Sequence, residues 1–464
     1  MKRTVSILLA SALLLSLASC GPKGESSDPQ GSQSSSQSQA EAVFTTLKEP
    51  TYPTFPQFPQ APEDGPDADW QAYYNAYDEY YSAVMELRGG GIPEGTRFAV
   101  SDFAAKSTPL ALAGAGQEGK NAAFSPVSLW AALAMLAPCA QGDSQSQLLS
   151  ALGVAGQREL TDQVGRLWKG LYTNDGMSSL ILSNSVWLND AQEGEYVQAT
   201  LDTLGRDYFA GVYTTPMGTA GADQAITDWV AKETGGLIGG DGPVVETAPD
   251  TLALLASSLY YKAAWVVPFD ASQTQAGDFT TASGETASAD FMHASLAGNF
   301  LKRDGYQAAA LETQLGEMFF VLPQEGTAPE ELLSDTSFLS SLSSGAADVQ
   351  YGTVEWSVPK FDLSADLDLI PTLKALGITD LLEAGKADLS GLTALDAYLS
   401  QARQMTRVSA DEEGVEAAAV TVLEPKAGAS EPSDQAFVMN LNRPFLFVLR
   451  SQGVPLFVGV VNEF

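Results

Sequence analysis

The side chains that most often carry chemistry in proteins are scarce in this sequence. It contains one His, His293, and two Cys, Cys20 and Cys139. A zinc site usually takes three or four His, Cys or carboxylate ligands, and two cysteines cannot build a disulfide framework. Ser125 as the nucleophile of a hydrolase would need His293 as its base, yet no Gly-x-Ser-x-Gly motif surrounds it. The sequence therefore predicts no metal, no cofactor and no enzyme.

The charge of the chain excludes further classes of partner. Among 464 residues, Lys and Arg number 24 and Asp and Glu number 57, which gives a net charge of −33. Binding to nucleic acid needs basic residues that neutralise phosphates, and docking on anionic lipid needs a polybasic patch. We therefore expect no nucleic-acid partner. Apolar residues make up 45% of the chain, which is enough for a large buried core.

Residues 1–20 have the pattern of an export signal. Lys2 and Arg3 precede an apolar run from Val5 to Leu17 that is too short to span a bilayer comfortably. We expect this segment to stay outside the fold. Its end, Leu17-Ala-Ser-Cys20, resembles the bacterial lipobox. That resemblance implies removal of the signal before Cys20 and acylation of the new terminus; an ordinary signal peptide with a Cys nearby is the alternative.

The lipobox resemblance also implies a location. Acyl chains on Cys20 would hold the protein at the bacterial cell membrane or cell surface, outside the cytoplasm, as its only contact with lipid. Residues 21–40 contain no aliphatic residue larger than Ala, and residues 50–66 are rich in Pro and aromatic residues. We expect residues 21–68 to form a disordered tether that carries the rest of the protein away from the membrane.

An aromatic helix is predicted over residues 69–88, within a stalk of residues 69–94. One face carries apolar side chains at helical spacing: Trp70, Tyr73, Tyr74, Tyr77, Tyr81 and Val84. Asp67 or Asp69 can cap its start, and Gly89-Gly90-Gly91 ends the pattern. The stripe could bind a glycan or a partner, but packing on its own domain is the favoured interpretation.

Residues 95–464 have a mixed pattern typical of one α+β domain with a large sheet. Helices are predicted at Phe98–Ser107, Ser128–Ala137 and Ile226–Thr234. Ser125 followed by Pro126 is a helix-start signal. Strands are predicted near Leu180–Leu188, Ala253–Tyr261, Ala309–Leu322, Phe445–Leu449 and Leu456–Val461.

Eight motifs along this domain resemble those of the serpin family and occur in the family's order. They are Asn121-Ala-Ala-Phe-Ser-Pro-Val-Ser128, Asp228-Trp229-Val230 with Thr234 and Gly236, Leu259-Tyr-Tyr-Lys-Ala-Ala-Trp265 with Pro268-Phe269, Val358-Pro-Lys-Phe361, Leu373–Asp380 with Ala387-Asp388-Leu-Ser390, Glu412–Ala419, Asn442-Arg-Pro-Phe-Leu-Phe447, and Pro455-Leu-Phe-Val-Gly459.

The resemblance implies an architecture and an activity. The architecture is about nine helices around three β-sheets with an exposed reactive loop, and the protein is expected to be a monomer. The activity is suicide inhibition of a serine protease: the protease cleaves the loop, forms an acyl-enzyme, and is trapped when the loop inserts into the main sheet. The alternative is a non-inhibitory serpin-fold protein that binds a partner at the cell surface.

The hinge of the reactive loop is implied at Glu412, Glu413, Gly414, Val415, Glu416, Ala417, Ala418 and Ala419. Because side chains alternate along a strand, one row of the segment is Val415, Ala417, Ala419, Thr421 and Leu423. This row is small or apolar and could face a core, whereas the other row carries Glu416 and Glu424 and could face outward. Val415 stands where the family more often has Thr or Ser. The small residues favour an inhibitor, because non-inhibitory relatives usually carry a charged, proline or bulky residue here.

The scissile bond follows the hinge glycine by about fourteen residues in the family, which indicates Gly428-Ala429. A Gly or Ala there suits an elastase-like or subtilisin-like protease with a shallow pocket. Lys426 keeps a trypsin-like protease possible, because such a pocket carries an acid. Ala427 and Ala429 are further candidates.

The family's shutter, beneath the centre of the main sheet, and its breach, at the top of that sheet, are implied at five positions. They are Ser125, Ser128, Ser257, Gln404 and Trp265. Ser257 stands where Asn is common and Gln404 where His is common. We expect these two to pair with each other, because a buried polar cluster tolerates exchanges only if every member finds a partner. Cys139 is expected to be a small buried thiol.

Overall fold

The computed structural model describes residues 8–19, 44–50, 52–62, 67–192, 196–240, 242–342, 346–412 and 436–464. These residues form two hydrogen-bonded sheets and nine α-helices. Their secondary structure confirms the α+β prediction.

The first sheet, here called the main sheet, contains eight of the described strands. They are β1 (Leu8–Ser19), β2 (Thr45–Lys48), β4 (Thr173–Asn174), β5 (Ser179–Asn189), β6 (Ala210–Thr215), β7 (Thr251–Lys262), β13 (Phe361–Asp368) and β14 (Ala397–Ala410). Their order across the sheet is β13-β14-β1-β7-β5-β6-β2, with β4 paired to β5.

The second sheet contains the other nine described strands. They are β3 (Ala122–Phe124), β8 (Gln275–Thr280), β9 (Thr286–Arg303), β10 (Tyr306–Thr313), β11 (Gly316–Pro323), β12 (Gln350–Pro359), β15 (Phe437–Asn440), β16 (Phe445–Ser451) and β17 (Val454–Val461). The long β9 pairs with β8 and β12 along most of its length and with β10 at its end. It therefore joins two sheet halves into one hydrogen-bonded network.

The described helices are α1 (Asp67–Arg88), α2 (Glu94–Glu118), α3 (Pro126–Leu136), α4 (Gly142–Ala151), α5 (Gln157–Leu171), α6 (Gln198–Asp207), α7 (Ala220–Glu233), α8 (Phe338–Ser341) and α9 (Ile370–Ala375). Helix α2 extends well beyond the predicted Phe98–Ser107. In the part of the chain that the structure describes, no helix is long and apolar enough to cross a membrane.

Helix α3 is the buried centre of the molecule. It begins as predicted, because Ser125 is the N-cap and its side chain accepts from the Ser128 backbone N–H, while Pro126 occupies the first turn. Every residue from Pro126 to Leu136 is buried. The helix packs against β7 and β1 on one side and β17 on the other. It therefore links the two sheets.

The first strand differs from the sequence prediction. Residues 1–20 were expected to stay outside the fold, but Leu8–Ser19 lies inside the main sheet, antiparallel to both β7 and β14. These twelve residues are all apolar or small and carry no charge. Both faces of such a segment can be buried, as in any strand at the centre of a covered sheet. Its identity as an export signal is a separate matter and stays a prediction.

The predicted tether over residues 21–68 is also wrong for its second part. Tyr52 stacks on Trp168 with ring centroids 5.2 Å apart and on Tyr172 at 5.9 Å. Phe55 is 4% exposed, and Phe58 contacts two tyrosines of α1. In an extended Pro-rich segment with three residues per turn, aromatic residues at every third position point to the same side. They can therefore pack together on the domain.

Helix α1 packs partly on its own domain, as favoured from the sequence. Tyr73 and Val84 are buried, and the helix lies against α5. Tyr80 donates to Asp175 over 2.7 Å, and Arg88 donates to Thr173 over 2.9 Å. Part of the stripe remains uncovered, because Tyr74 and Tyr81 are exposed.

Candidate reactive-loop site

The main sheet has a slot between β7 and β14, and β1 fills it. Leu13 of β1 lies opposite Ser257 of β7 on one side and opposite Gln404 of β14 on the other. The pairing continues along the strand, with Leu15 between Leu255 and Ala402. Strands β7 and β14 therefore stand far enough apart to hold a complete third strand between them.

Both faces of the slot are covered. On one face, Leu13, Leu15 and Leu17 join the main core of the molecule. On the other face, Ala12 and Leu14 pack in a smaller core with side chains of β5, β7 and α7: Trp187, Leu254, Ala256, Ile226 and Val230. A strand in this slot is therefore shielded from water on both sides.

The start of the predicted reactive loop is anchored beside the top of this slot. Strand β14 ends at Ala410, and Asp411 and Glu412 are both buried. The indole N–H of Trp265 donates to the carbonyl of Asp411 over 2.9 Å, and the N–H of Phe269 donates to the carbonyl of Glu412 over 2.9 Å. The predicted breach residue Trp265 thus holds the backbone at the point where the loop departs.

The Glu412 side chain also fixes the backbone at this point. Its two oxygens accept from Lys360 Nζ over 2.6 Å and from Thr274 Oγ1 over 2.7 Å. Burial by itself disfavours the charged carboxylate, but the bonds from Lys360 and Thr274 outweigh burial and lower the pKa of Glu412 below its ordinary value. The carboxylate is therefore charged and fixed at neutral pH.

The remainder of the predicted loop lies outside the described residues. This applies to the hinge residues Glu413–Ala419, to the scissile candidates Lys426, Ala427, Gly428 and Ala429, and to the lipidation candidate Cys20. Their roles stay predictions. The described chain resumes at Ala436 and enters β15, which runs parallel to β12.

The predicted shutter residues Ser125 and Gln404 are brought together. The Ser125 N–H donates to Gln404 Oε1 over 2.8 Å, and Gln404 Nε2 donates back to the Ser125 carbonyl over 3.1 Å. Ser125 Oγ donates to the carbonyl of Leu456 over 2.8 Å and lies 3.0 Å from Ser128 Oγ. This cluster connects α3, the main sheet and β17, and it commits Ser125 to a structural role.

The expected pair between Ser257 and Gln404 is wrong. Leu13 of β1 lies between them, and Gln404 satisfies both ends of its amide on Ser125 instead. Ser257 Oγ is buried, and no hydrogen-bond partner for it occurs among the described residues. The two residues cannot meet because β1 separates β7 from β14.

Sequence reasoning missed two residues of the site. Lys360 was noted only as part of a motif, and Thr274 was not noted at all. A lone Lys after the apolar pair Val358-Pro359 was the available signal for the first. For Cys139 the prediction is confirmed: the thiol is fully buried, donates to the Met135 carbonyl, and burial raises its pKa to about 12.

The family model of the serpins, described as serine protease inhibitors, matches residues 100–464. The chain belongs to the serpin family. Its fold is the serpin fold, and the eight motifs are therefore parts of one domain of known architecture.

Other serpins resemble the chain over most of their length. Serpin-ZXA of rice is 32% identical over 398 residues, which cover 79% of this chain and 96% of the relative. Human kallistatin is 31% identical over 372 residues, which cover 74% of this chain and 82% of the relative.

Solved serpin structures agree with this fold. The native state of tengpin, a thermophilic serpin, superimposes with a TM-score of 0.69 at 23% identity, covering 81% of this chain and 95% of that one. Human thyroxine-binding globulin gives a TM-score of 0.67 at 26% identity, covering 79% and 99%. This serpin is therefore similar both to proteins named as protease inhibitors and to one named for binding a hormone.

Proposed function

We propose that this serpin is a suicide-substrate inhibitor of serine proteases. One observation carries the proposal: a slot that accepts a whole antiparallel strand opens directly beside the anchored Glu412. A loop that leaves β14 at this point and turns back would enter the slot antiparallel to β14, which is the direction in which β1 runs. No large movement of the anchor is then needed for insertion.

The chemical step belongs to the protease. Its serine Oγ attacks the carbonyl carbon of Gly428, the bond to the Ala429 nitrogen breaks, and that nitrogen leaves as an amine with the proton supplied by the protease's base. The carbonyl carbon of Gly428 remains as an ester on the protease. Inserting the new end into the main sheet before water reaches the ester would carry the protease along and deform it.

The alternation of the loop suits the two faces of the slot. Its small or apolar row, from Val415 to Leu423, would face the core that now receives Leu13 and Leu15. Its other row begins with Glu416. On that face the first pairs of the slot include Lys262 of β7 and Arg407 of β14. Opposite charges on neighbouring strands stabilise their pairing, so Glu416 fits there.

The loop composition suggests the class of protease. A small residue at Gly428 fits the shallow pocket of an elastase-like or subtilisin-like enzyme, and these two are the favoured targets. Lys426 would instead serve a trypsin-like enzyme, because the pocket of such an enzyme pairs an acid with the cation. The monomeric state and the absence of any cofactor belong to the same proposal.

The cell surface is the proposed place of action. Acylation of Cys20 would anchor the chain to the bacterial membrane, outside the cytoplasm. Fractionation of cells that express the protein, with Cys20→Ala as the comparison, tests this part by itself. We expect the parent in the membrane fraction with an acylated Cys20 in its mass spectrum, and the variant without acyl chains; an unacylated parent would contradict the anchor.

The test of inhibition uses the protein extracted from membranes of an expressing bacterium. It is mixed with pancreatic elastase, subtilisin or trypsin, and the products are separated under denaturing conditions. A complex that survives denaturation, together with a released peptide that begins at Ala429, supports the proposal. Cleavage of the loop by all three proteases without any stable complex would overturn it.

A pair of hinge variants sharpens this test. Val415→Glu with Glu416→Val moves the charge to the row that must face the core while keeping composition and loop length unchanged. We expect this double variant to be cleaved without trapping. Val415→Thr keeps a β-branched side chain on the core-facing row and should still trap. Equal trapping by both variants would show that the loop does not insert as proposed.

The second candidate is a non-inhibitory binding protein of the serpin fold. It is favoured by the likeness to thyroxine-binding globulin, a serpin solved with bound thyroxine. Under this candidate, every protease would cut the loop as an ordinary substrate.

A further inference from the structure

We infer that the segment Leu8–Ser19 is an intramolecular occupant of the slot, which excludes the reactive loop and keeps the full chain from trapping a protease until the segment is removed. The consequence for trapping rests on the proposed function. The occupancy of the slot does not rest on it, because it concerns only how this chain pairs with itself.

The backbone of the segment pairs with both edges of the slot along almost its whole length. Residues Leu9 to Ser19 pair with β14, and residues Leu8 to Ala18 pair with β7. The segment runs antiparallel to both neighbours, as an inserted loop would. Two strands cannot pair with the same edges at the same time, so the segment and the loop exclude each other.

The side chains of the segment fill the slot better than the loop can. Leu13, Leu15 and Leu17 are each 0% exposed. The core-facing row of the loop would place Val415, Ala417 and Ala419 in the slot instead of these leucines. Burying leucine removes more apolar surface from water than burying alanine. The segment itself carries no charge.

One buried group is left unsatisfied by this occupancy. Leu13 lies between Ser257 and Gln404, and Ser257 Oγ is buried with no partner among the described residues. A buried hydroxyl without a hydrogen bond destabilises the state that contains it. When the segment leaves, β7 and β14 can approach each other, which brings Ser257 toward Gln404.

The location of the segment indicates which event would end the exclusion in the cell. Its last residue, Ser19, immediately precedes Cys20, the predicted processing site. Cutting at that point would detach the occupant from the chain and leave it to the membrane. The precursor would then be inert toward proteases, and the processed protein would be competent to trap them.

The experiment uses the full chain made by cell-free synthesis without membranes, so that the segment is retained. Leu13→Asp with Leu15→Asp places two charges in the buried core and should expel the segment. Leu13→Val with Leu15→Val is the matched control, because valine keeps the strand and its apolar character. Amide hydrogen exchange of residues 9–18 reports the occupancy without any protease, and mixing with elastase, subtilisin and trypsin reports trapping.

We expect the parent and the Val control to protect residues 9–18 and to be cleaved without forming a complex. In the Asp variant these amides should exchange faster by about 100-fold or more, and the variant should form the complex that survives denaturation. Unprotected amides in the parent would overturn the occupancy, and a parent that protects them yet still traps a protease would overturn the exclusion. If the parent protects them and the Asp variant traps no protease, the occupancy stands and the proposed inhibitory function fails.

Discussion

Glu412 stabilises the start of the predicted reactive loop only while it is charged. We expect Glu412→Gln to lower the free energy of unfolding at pH 7 by about 1–3 kcal/mol, because Lys360 loses its charged partner in a largely buried site. Urea denaturation of the two proteins measures the difference. Glu383→Gln is the control, because Glu383 pairs with Lys386 in an exposed position and should cost about 0–1 kcal/mol.

The same pair gives a prediction for pH. The folded pKa of Glu412 lies below its ordinary value, so its stabilising contribution is complete above the unfolded pKa of about 4.3 and is lost as the pH falls through the lower folded pKa. The stability difference between wild type and Glu412→Gln should therefore be constant from pH 7 to about pH 5 and shrink below about pH 4. A difference that grows on acidification would contradict the assignment.

Gln404 supports α3 through both ends of its amide. Gln404→Leu would leave the N–H and the carbonyl of Ser125 buried without this partner, and we expect a loss of about 2–4 kcal/mol in the free energy of unfolding. Gln401→Leu changes an exposed glutamine of the same strand and should stay within about 0.5 kcal/mol of wild type. Equal losses in the two variants would show that the contact with Ser125 carries no stability.

At the residue scale, local rules worked where the chain supplies both partners nearby. The Ser125 cap could be predicted because Ser-Pro before an apolar run is itself the signal, and its bond to Ser128 spans three residues. The partners of Gln404 and Glu412 could not be predicted in the same way. They depend on which strands are neighbours, and on Thr274 and Lys360, which approach only after the two sheets assemble.

At the scale of elements, the aromatic segment before α1 is part of the domain. Tyr52 stacks on Trp168 and Tyr172, and Thr45–Lys48 extends the main sheet by pairing with β6. We expect Tyr52→Ala to lower the free energy of unfolding by about 2–4 kcal/mol, because a packed aromatic ring is lost. Tyr81→Ala removes a ring that is 50% exposed, and its effect should be below about 1 kcal/mol. Thermal denaturation followed by circular dichroism compares the two.

The elements that the sequence predicted correctly carry a local signal of their own. The continuous apolar runs at β5, β7 and β17 and the capped start of α3 fall in this group. Two segments were misplaced, residues 8–19 and 44–62. The composition of each is compatible with two different structures. A short apolar run is typical of an export signal and also of a central strand. A Pro-rich aromatic run is typical of a tether and also of an extended segment that packs on the domain. The surface that such a segment meets decides between them.

At the scale of the whole molecule, the net charge is −33 and the sequence contains one His and two Cys. The single His lies in β9 of the second sheet, and the predicted shutter serines are buried around α3. The motifs and their order were enough to predict the family and the α+β fold. They could not show that β1 fills the slot, because residues 8–19 precede the residues 100–464 that the family model matches.

The central claim is that adding the loop as a strand between β7 and β14 drives trapping. The most direct measurement is the melting temperature of the protein without residues 1–19, before and after a protease cuts its loop. Burying Val415 and Leu423 at about 2 kcal/mol each, and Ala417 and Ala419 at about 0.8 kcal/mol each, predicts a rise of about 5 °C or more, with new amide protection in residues 415–424. An unchanged melting temperature after complete cleavage, with those amides still unprotected, would contradict the account.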